Sequence, residues 1–236
     1  MAYEYGEFMK KFDSNRIRKS ILNMAYSGAT VHIGCAFSIV ELVAVLYRSH
    51  LKFDYLESES PDRDYLVLSK GHGIMAQYAC LNEIGWIADS EVQQYFKNGT
   101  RLKGLADVHV PGVEATTGSL GHGVSVAVGL ALASKLNKSD QIAYTIVGDG
   151  EMNEGAVWEA ILFSAHFHLD NFVLIVDKNG FQAMGSTDEV MQLGSIEEKL
   201  NAFGFDALTI DGHDEDAIDL AYGKMRLAKN GKPKAI

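Results

Sequence analysis

Cysteine is scarce. Cys35 and Cys80 are the only two in 236 residues, too few for a disulfide framework and without metal-ligand spacing. Both stand in apolar, helix-like stretches and are expected to be buried thiols. Positive charge is also in short supply. The 21 Lys and Arg against 31 Asp and Glu leave a net charge of −10, which argues against a general binder of nucleic acid or anionic membrane. An anionic ligand must therefore be held by local features: a metal, a helix end, or single His or Lys residues. No apolar run reaches the roughly 18 residues of a membrane span. The first residues, Met1 to Glu7, lack the basic-then-apolar order of a secretory signal. Repeats, low-complexity tracts and interdomain linkers are missing too. What remains is a chain 47% hydrophobic and 22% charged, suited to one domain over residues 1–236 in a reducing, cytoplasmic setting.

The chain is organised around Ile142-Ala143-Tyr144-Thr145-Ile146-Val147-Gly148-Asp149-Gly150 and, further on, Val173-Leu174-Ile175-Val176-Asp177-Lys178-Asn179-Gly180. Each is an apolar, partly β-branched run ending in Gly, Asp or Asn, the pattern of a buried parallel strand. Ligands of doubly wound sheets bind outside the carboxyl ends of such strands. Asp149 and Asn179 would sit at two such ends and offer hard oxygen ligands suited to Mg(II) or Ca(II) beside a diphosphate. Gly148 and Gly150 let the backbone approach a ligand, and the following helix start supplies free N–H groups. On the tripeptide alone the simpler reading is a turn with Asp149 as N-cap. The paired Asn179 reverses that preference.

Strand and helix patterns alternate elsewhere. Residues 13–27 read as a helix capped by Asp13 or Ser14, with Ile17, Ile21, Leu22, Met24 and Ala25 as its apolar stripe and Gly28 as its stop. Helices are also expected over Ile39–Tyr47, Ile74–Ile84, 89–97 (capped by Asp89 or Ser90), Ser119–Leu136, Ser195–Phe203 and 214–229, the last capped by Asp214. The Ser119–Leu136 stretch is small and apolar on nearly every side, which predicts a fully buried, closely approached helix with a tight interface, within the fold or between subunits. Strands are expected near 64–69, over Ala207–Ile210 and at the chain end. His32 and His72 lie in Gly-bounded loops and can face a ligand; the alternative is a histidine satisfied by backbone groups. The alternation predicts an α/β fold, a doubly wound and largely parallel sheet with helices on both faces.

Four ordered words give a resemblance. Gly148-Asp149-Gly150 with Asn179 resembles the thiamine-diphosphate motif. Thr30-Val31-His32-Ile33-Gly34, Asp62-Arg63-Asp64 through Leu68-Ser69-Lys70-Gly71-His72-Gly73, and Pro111-Gly112-Val113-Glu114 through Gly123 resemble words of transketolase. The resemblance runs from about residue 14 to the end. It implies a metal held by Asp149, Asn179 and the Phe181 carbonyl. It implies diphosphate contacts from Gly150 and His72, with Gly148 and Glu151 in the same cofactor-binding word. The backbone of Gly118, Ser119 and Leu120 would line the aminopyrimidine side, and His32 and His72 would face the substrate. Glu154 and Glu159 match acidic residues of a carboxylate network near the subunit interface, counted with the two histidines as catalytic; the plainer reading is the acid preference of a helix first turn, which suits Glu154 better than Glu159.

A complete transketolase has a second domain that binds the aminopyrimidine and supplies the glutamate for cofactor activation. The chain resembles only the first, as in the N-terminal subunit of a split transketolase. The resemblance thus implies a pyrimidine-domain partner subunit, an α2β2 assembly, and a ketol transfer from a ketose to an aldehyde. There are departures. Lys178 stands where the family has Asn or Asp. Gly104-Leu105-Ala106 replaces Gly-His-Pro, so a substrate-facing His is lost, and Val31 replaces a Gly. The family also continues past the point corresponding to Ile236, toward a further His; either the sequence is short there or the site is simplified. A related carboligase subunit taking a 2-oxo acid donor, or a catalytically silent scaffolding paralogue, are the competing expectations.

Overall fold

The computed structural model describes residues 11–29 and 32–236. Residues 1–10, Thr30 and Val31 lie outside them, and with them the Val31 departure. Asp13 caps α1 (Ser14–Gly28), its carboxylate accepting from Arg16 N. The helix runs through Gly28 and ends at Ala29, which is left-handed at φ 49°. Gly28 is therefore a point of close approach and not the stop: a Cβ there would stand 2.9 Å from Phe96 Cβ. The short α2 (Ile33–Phe37) follows, then α3 (Val40–Val45), which continues as a π-helical turn over Leu46–His50. Then come β1 (Tyr65–Leu68), a 3-10 turn at Gly71–Gly73 and α4 (Ile74–Ile84).

The helix expected over 89–97 is only α5 (Asp89–Val92). Its N-terminus is closed by Glu91, whose carboxylate accepts from Ala88 N, so neither Asp89 nor Ser90 occupies the cap position. The same carboxylate is held by Arg101, and Phe96 is left-handed, which ends the segment in turns. The chain continues with α6 (His122–Leu136), β2 (Ala143–Gly148), a 3-10 turn at Gly150–Asn153, α7 (Gly155–His166) and β3 (Phe172–Asp177). A small hairpin, β4 (Phe181–Gln182) and β5 (Gly185–Ser186), leads to α8 (Thr187–Val190) and α9 (Ile196–Ala202). The last elements are β6 (Asp206–Ala207), α10 (Glu215–Leu227) and β7 (Lys234–Ala235). β6 is shorter than the expected 207–210, and Asp214 caps α10 as expected.

The five-stranded sheet has the order β1-β2-β3-β7-β6, every pair parallel. The strand pleat divides the interior into two cores. Leu66, Leu68, Tyr144, Ile146, Val173 and Ile175 face a core built with α1, α3, α4 and α10. Val67, Ala143, Val147, Phe172 and Leu174 face the other, built with α6, α7 and α9. Period-two alternation sends adjacent residues to opposite faces, so a strand apolar throughout is a strand covered on both sides. At the amino ends of the strands, buried Asp64 accepts from Lys52 N, Ile142 N and Arg226 Nη1, locking β1 and β2 to α10. The expectation of two buried thiols is corrected: Cys80 is buried but Cys35 is half-buried, because the short α2 lies at the edge of the core. Within the single chain α6 is one-sided: Val124, Ala127 and Ala131 are buried, whereas Val126 is 42% and Leu136 72% exposed.

Candidate cofactor site

Because all five strands are parallel, their carboxyl ends share one edge, and the signature residues collect there. β2 and β3 pair Gly148 with Asp177, and the Asp149 amide donates to the Asp177 carbonyl at 3.1 Å. Asp149 is 2% exposed. One carboxylate oxygen accepts from Gly150 N at 2.8 Å; the other accepts from Gly180 N at 2.8 Å and from Thr187 Oγ1 at 3.0 Å. Asp149 thus caps the turn that follows it and also reaches across to the residue next to Asn179. Asn179 is exposed, its Oδ1 accepting from Phe181 N and its Nδ2 donating to Asp177 Oδ2. Phe181 is also exposed.

The donor set suits a hard divalent cation. A carboxylate past β2, and an amide oxygen with a neighbouring backbone carbonyl past β3, stand at adjacent strand ends, and Mg(II) takes oxygen ligands of this kind together with phosphate and water. Among the described residues no cluster of three or more His, Cys, Asp or Glu could hold a metal ion. Space for a ligand is present as well. A Cβ on Gly148 or Gly180 would meet nothing within 4 Å. Beside Gly150, where a Cβ would lie 2.8 Å from Gln182 Cβ, Gln182 Nε2 is buried with no hydrogen-bond partner, as is Asn153 Oδ1.

Glu151 is nearly inaccessible and turned inward. Its carboxylate accepts from Ser69 Oγ at 2.5 Å, Gly121 N at 2.8 Å and Gly148 N at 3.3 Å. Burial raises its pKa against the pull of those donors. It ties the ends of β1 and β2 to the start of α6. Ser69 completes the tie by accepting from Val124 N.

His32 and His72 meet edge to face, their ring centroids 4.8 Å apart. His72 has its pKa lowered, first by burial and then by the charges of His32 and Lys70. The loop at Gly118, Ser119 and Leu120 lies on the β1 side: Thr117 Oγ1 donates to the Leu68 carbonyl, and a Cβ on Gly71 would sit 2.5 Å from that hydroxyl. Leu105 packs on this loop, its Cδ1 2.7 Å from the place of a Gly118 Cβ, and both Leu105 and Leu120 remain more than a third exposed. Glu154 and Glu159 are exposed; Glu154 packs on Gly121 at the mouth of α6, and Glu159 lies further along α7.

Sequence reasoning missed the buried polar layer beneath these residues. Lys70, Asp177 and Ser38 converge there, and Thr187 reaches Asp149. Lys70 stands just before Gly71-His72-Gly73 and Asp177 two residues before Asn179, but nothing in the linear pattern pairs them.

A parallel sheet with Asp149 and Asn179 at adjacent strand ends defines an α/β domain of the kind that takes ligands at the carboxyl edge of its strands. The profile described as "Transketolase, thiamine diphosphate binding domain" matches residues 12–236. The chain is 38% identical over 234 residues to one subunit of the apulose-4-phosphate transketolase of Actinobacillus succinogenes, covering 98% of this chain and 83% of that one. It is 40% identical over 224 residues to "6-deoxy-6-sulfo-D-fructose transketolase subunit SqwG" of a Clostridium species, covering 94% and 81%. Among solved structures, transketolase of Campylobacter jejuni superposes with a TM-score of 0.89 at 27% identity, over 98% of this chain and 37% of that chain. The chain therefore spans just over a third of that full-length transketolase, while it spans most of the two relatives named as subunits. It belongs to the transketolase family, as a thiamine diphosphate binding domain. Among the described residues no helix is long and apolar enough to cross a membrane.

Proposed function

We propose that this chain is the diphosphate-binding subunit of a two-chain transketolase, moving a ketol unit from a ketose donor to an aldehyde acceptor. The observation that carries the reading is the Asp149 carboxylate reaching Gly180 N, which sets the carboxylate of one strand end beside the amide of the next. Asp149, Asn179 and the Phe181 carbonyl would hold Mg(II) or Ca(II). Gly150 and His72 would meet the diphosphate, and Gly118 to Leu120 the aminopyrimidine side. Bound there, thiamine diphosphate supplies the carbanion chemistry of the reaction. His72, kept neutral by its surroundings, can accept a proton or a hydroxyl hydrogen bond near neutral pH, with His32 against it. The buried tie through Glu151 holds the loops that orient these groups.

The partner in this reading is a pyrimidine-domain subunit bearing the activating glutamate. The relatives in Actinobacillus succinogenes and Clostridium are each named as one subunit of their transketolase, which supports a second chain here. Self-association into an α2β2 assembly is supported by the outer face of α6 and α7, where Val126, Leu162, Phe163 and Phe167 are exposed together with Glu159. Soluble chains rarely leave so many large apolar groups uncovered on neighbouring helices. The proposed setting is cytoplasmic, in keeping with two free cysteines.

A second reading, a carboligase subunit using a 2-oxo acid donor, is favoured by Leu105. An apolar side chain packed on Gly118 offers no hydrogen bond to a donor hydroxyl. The test is reconstitution with the pyrimidine-domain partner, followed by product analysis with ketose and pyruvate donors. Ketol products support the first reading, acyl transfer from pyruvate the second, and no turnover with either counts against both.

A further inference from the structure

Below the proposed metal site a single carboxylate oxygen gathers three donors. Asp177 Oδ2 accepts from Lys70 Nζ at 2.5 Å, from Ser38 Oγ at 2.7 Å and from Asn179 Nδ2 at 3.1 Å. Lys70 and Asp177 side chains are each 7% exposed. The donors come from three segments. Lys70 follows β1 and precedes His72. Ser38 closes α2, which His32 precedes. Asn179 follows β3.

We infer that Asp177 is a positioning residue, fixing the Asn179 amide with its oxygen outward so that it can serve a cation. The inference rests on reading Asn179 as a metal ligand. A primary amide presents an oxygen at one end and two N–H donors at the other, and either end can face a neighbour. A carboxylate admits only the N–H end. Asp177 thus decides which way Asn179 points, and Oδ1 is left toward Phe181 N with a second lone pair free. Lys70 has a separate part. It balances Asp177, so that the buried carboxylate is held inward and the site keeps Asp149 as its one ligating carboxylate. The same oxygen couples the Asn179 loop to both histidine segments. Partners of this kind behind metal ligands typically change affinity about 10–100-fold when lost.

Removing Asp177 alone would leave Lys70 as an uncompensated cation beside the site, so the test uses neutral pairs. Replacing a buried ion pair by matched neutral side chains is commonly tolerated by the fold. Lys70→Met with Asp177→Asn keeps an acceptor for Asn179; Lys70→Met with Asp177→Leu removes it. The full chain is titrated with Mn2+ in the presence of thiamine diphosphate, and bound metal is read by electron paramagnetic resonance. Thermal unfolding of each variant is recorded alongside. The expected result is near-wild-type Mn2+ affinity in the Asn pair and a loss of about ten-fold or more in the Leu pair. Equal affinity in the two pairs would overturn the positioning role. Asn179→Ala is the control beneath it: unchanged Mn2+ affinity there would overturn the metal reading itself, and the inference with it. Loss in Asn179→Ala with equal affinity in the two pairs sinks the positioning role alone.

Discussion

The Glu151 carboxylate lies 2.5 Å from the Ser69 hydroxyl, joining residues 82 apart in sequence at the carboxyl ends of β1 and β2. Gly121 N completes the same cluster. Glu151→Ala leaves these donors buried without a partner, at a cost of about 1–3 kcal/mol for each. Glu151→Gln retains one acceptor oxygen and is expected to be milder. Urea unfolding of the two variants checks this, with an unshifted midpoint in Glu151→Ala as the contrary result.

Gly150 is held to glycine by Gln182. A Cβ would stand 2.8 Å from Gln182 Cβ, so Gly150→Ala must push the β4–β5 hairpin away from the turn after β2. Overpacking of this sort costs about 1–3 kcal/mol. Because the hairpin carries Phe181, thiamine diphosphate affinity should fall as well. Gln182→Gly added to Gly150→Ala should recover part of the stability; a double variant no more stable than Gly150→Ala would show that the strain lies elsewhere.

His72 gives a pH prediction with a definite sign. Its folded pKa is lowered from 6.5, first by burial, then by His32 and Lys70. The unfolded chain therefore binds the extra proton first as pH falls. The stability linked to His72 is complete above 6.5 and is lost as pH drops through 6.5 toward the folded value. A histidine titration followed by NMR should place His72 below 6.5. His32→Asn should raise it without restoring the ordinary value, since burial remains. A wild-type His72 that titrates at 6.5 would refute the burial argument.

The outer face of α6 and α7 predicts assembly. Leu162 is 59% and Phe163 40% exposed. Phe163→Asp would place a charge in any apolar contact made there, and sedimentation should show the loss of the larger species with little change in unfolding temperature. An unchanged sedimentation coefficient would remove this face from the assembly.

Much of this was legible in the linear pattern, for identifiable reasons. β2 and β3 announce themselves because strands covered on both faces are apolar throughout. Asp13 and Asp214 are readable as caps because an N-cap is a local event. Asp149 and Asn179 are visible because spacing carries them to adjacent strand ends. Contacts between distant residues are not legible in that way. Gly28 reads as a helix stop until Phe96 and Tyr95 are seen against it. Glu151 reads as part of the cofactor-binding word until Ser69 and Gly121 meet it. α6 reads as tightly packed, within the fold or between subunits, because small apolar residues do not reveal which face a neighbour covers. Lys70 and Asp177, 107 apart in sequence, have no linear signature at all.

The most direct test of the central claim is calorimetric titration of thiamine diphosphate with Mg2+ into the chain assembled with the proposed pyrimidine-domain partner, wild type against Asp149→Ala. The wild-type complex should bind only when the metal is present, and Asp149→Ala should abolish that metal-dependent binding. Equal affinity in the two proteins would contradict the assignment of Asp149, and with it the reading of this strand edge as the diphosphate site.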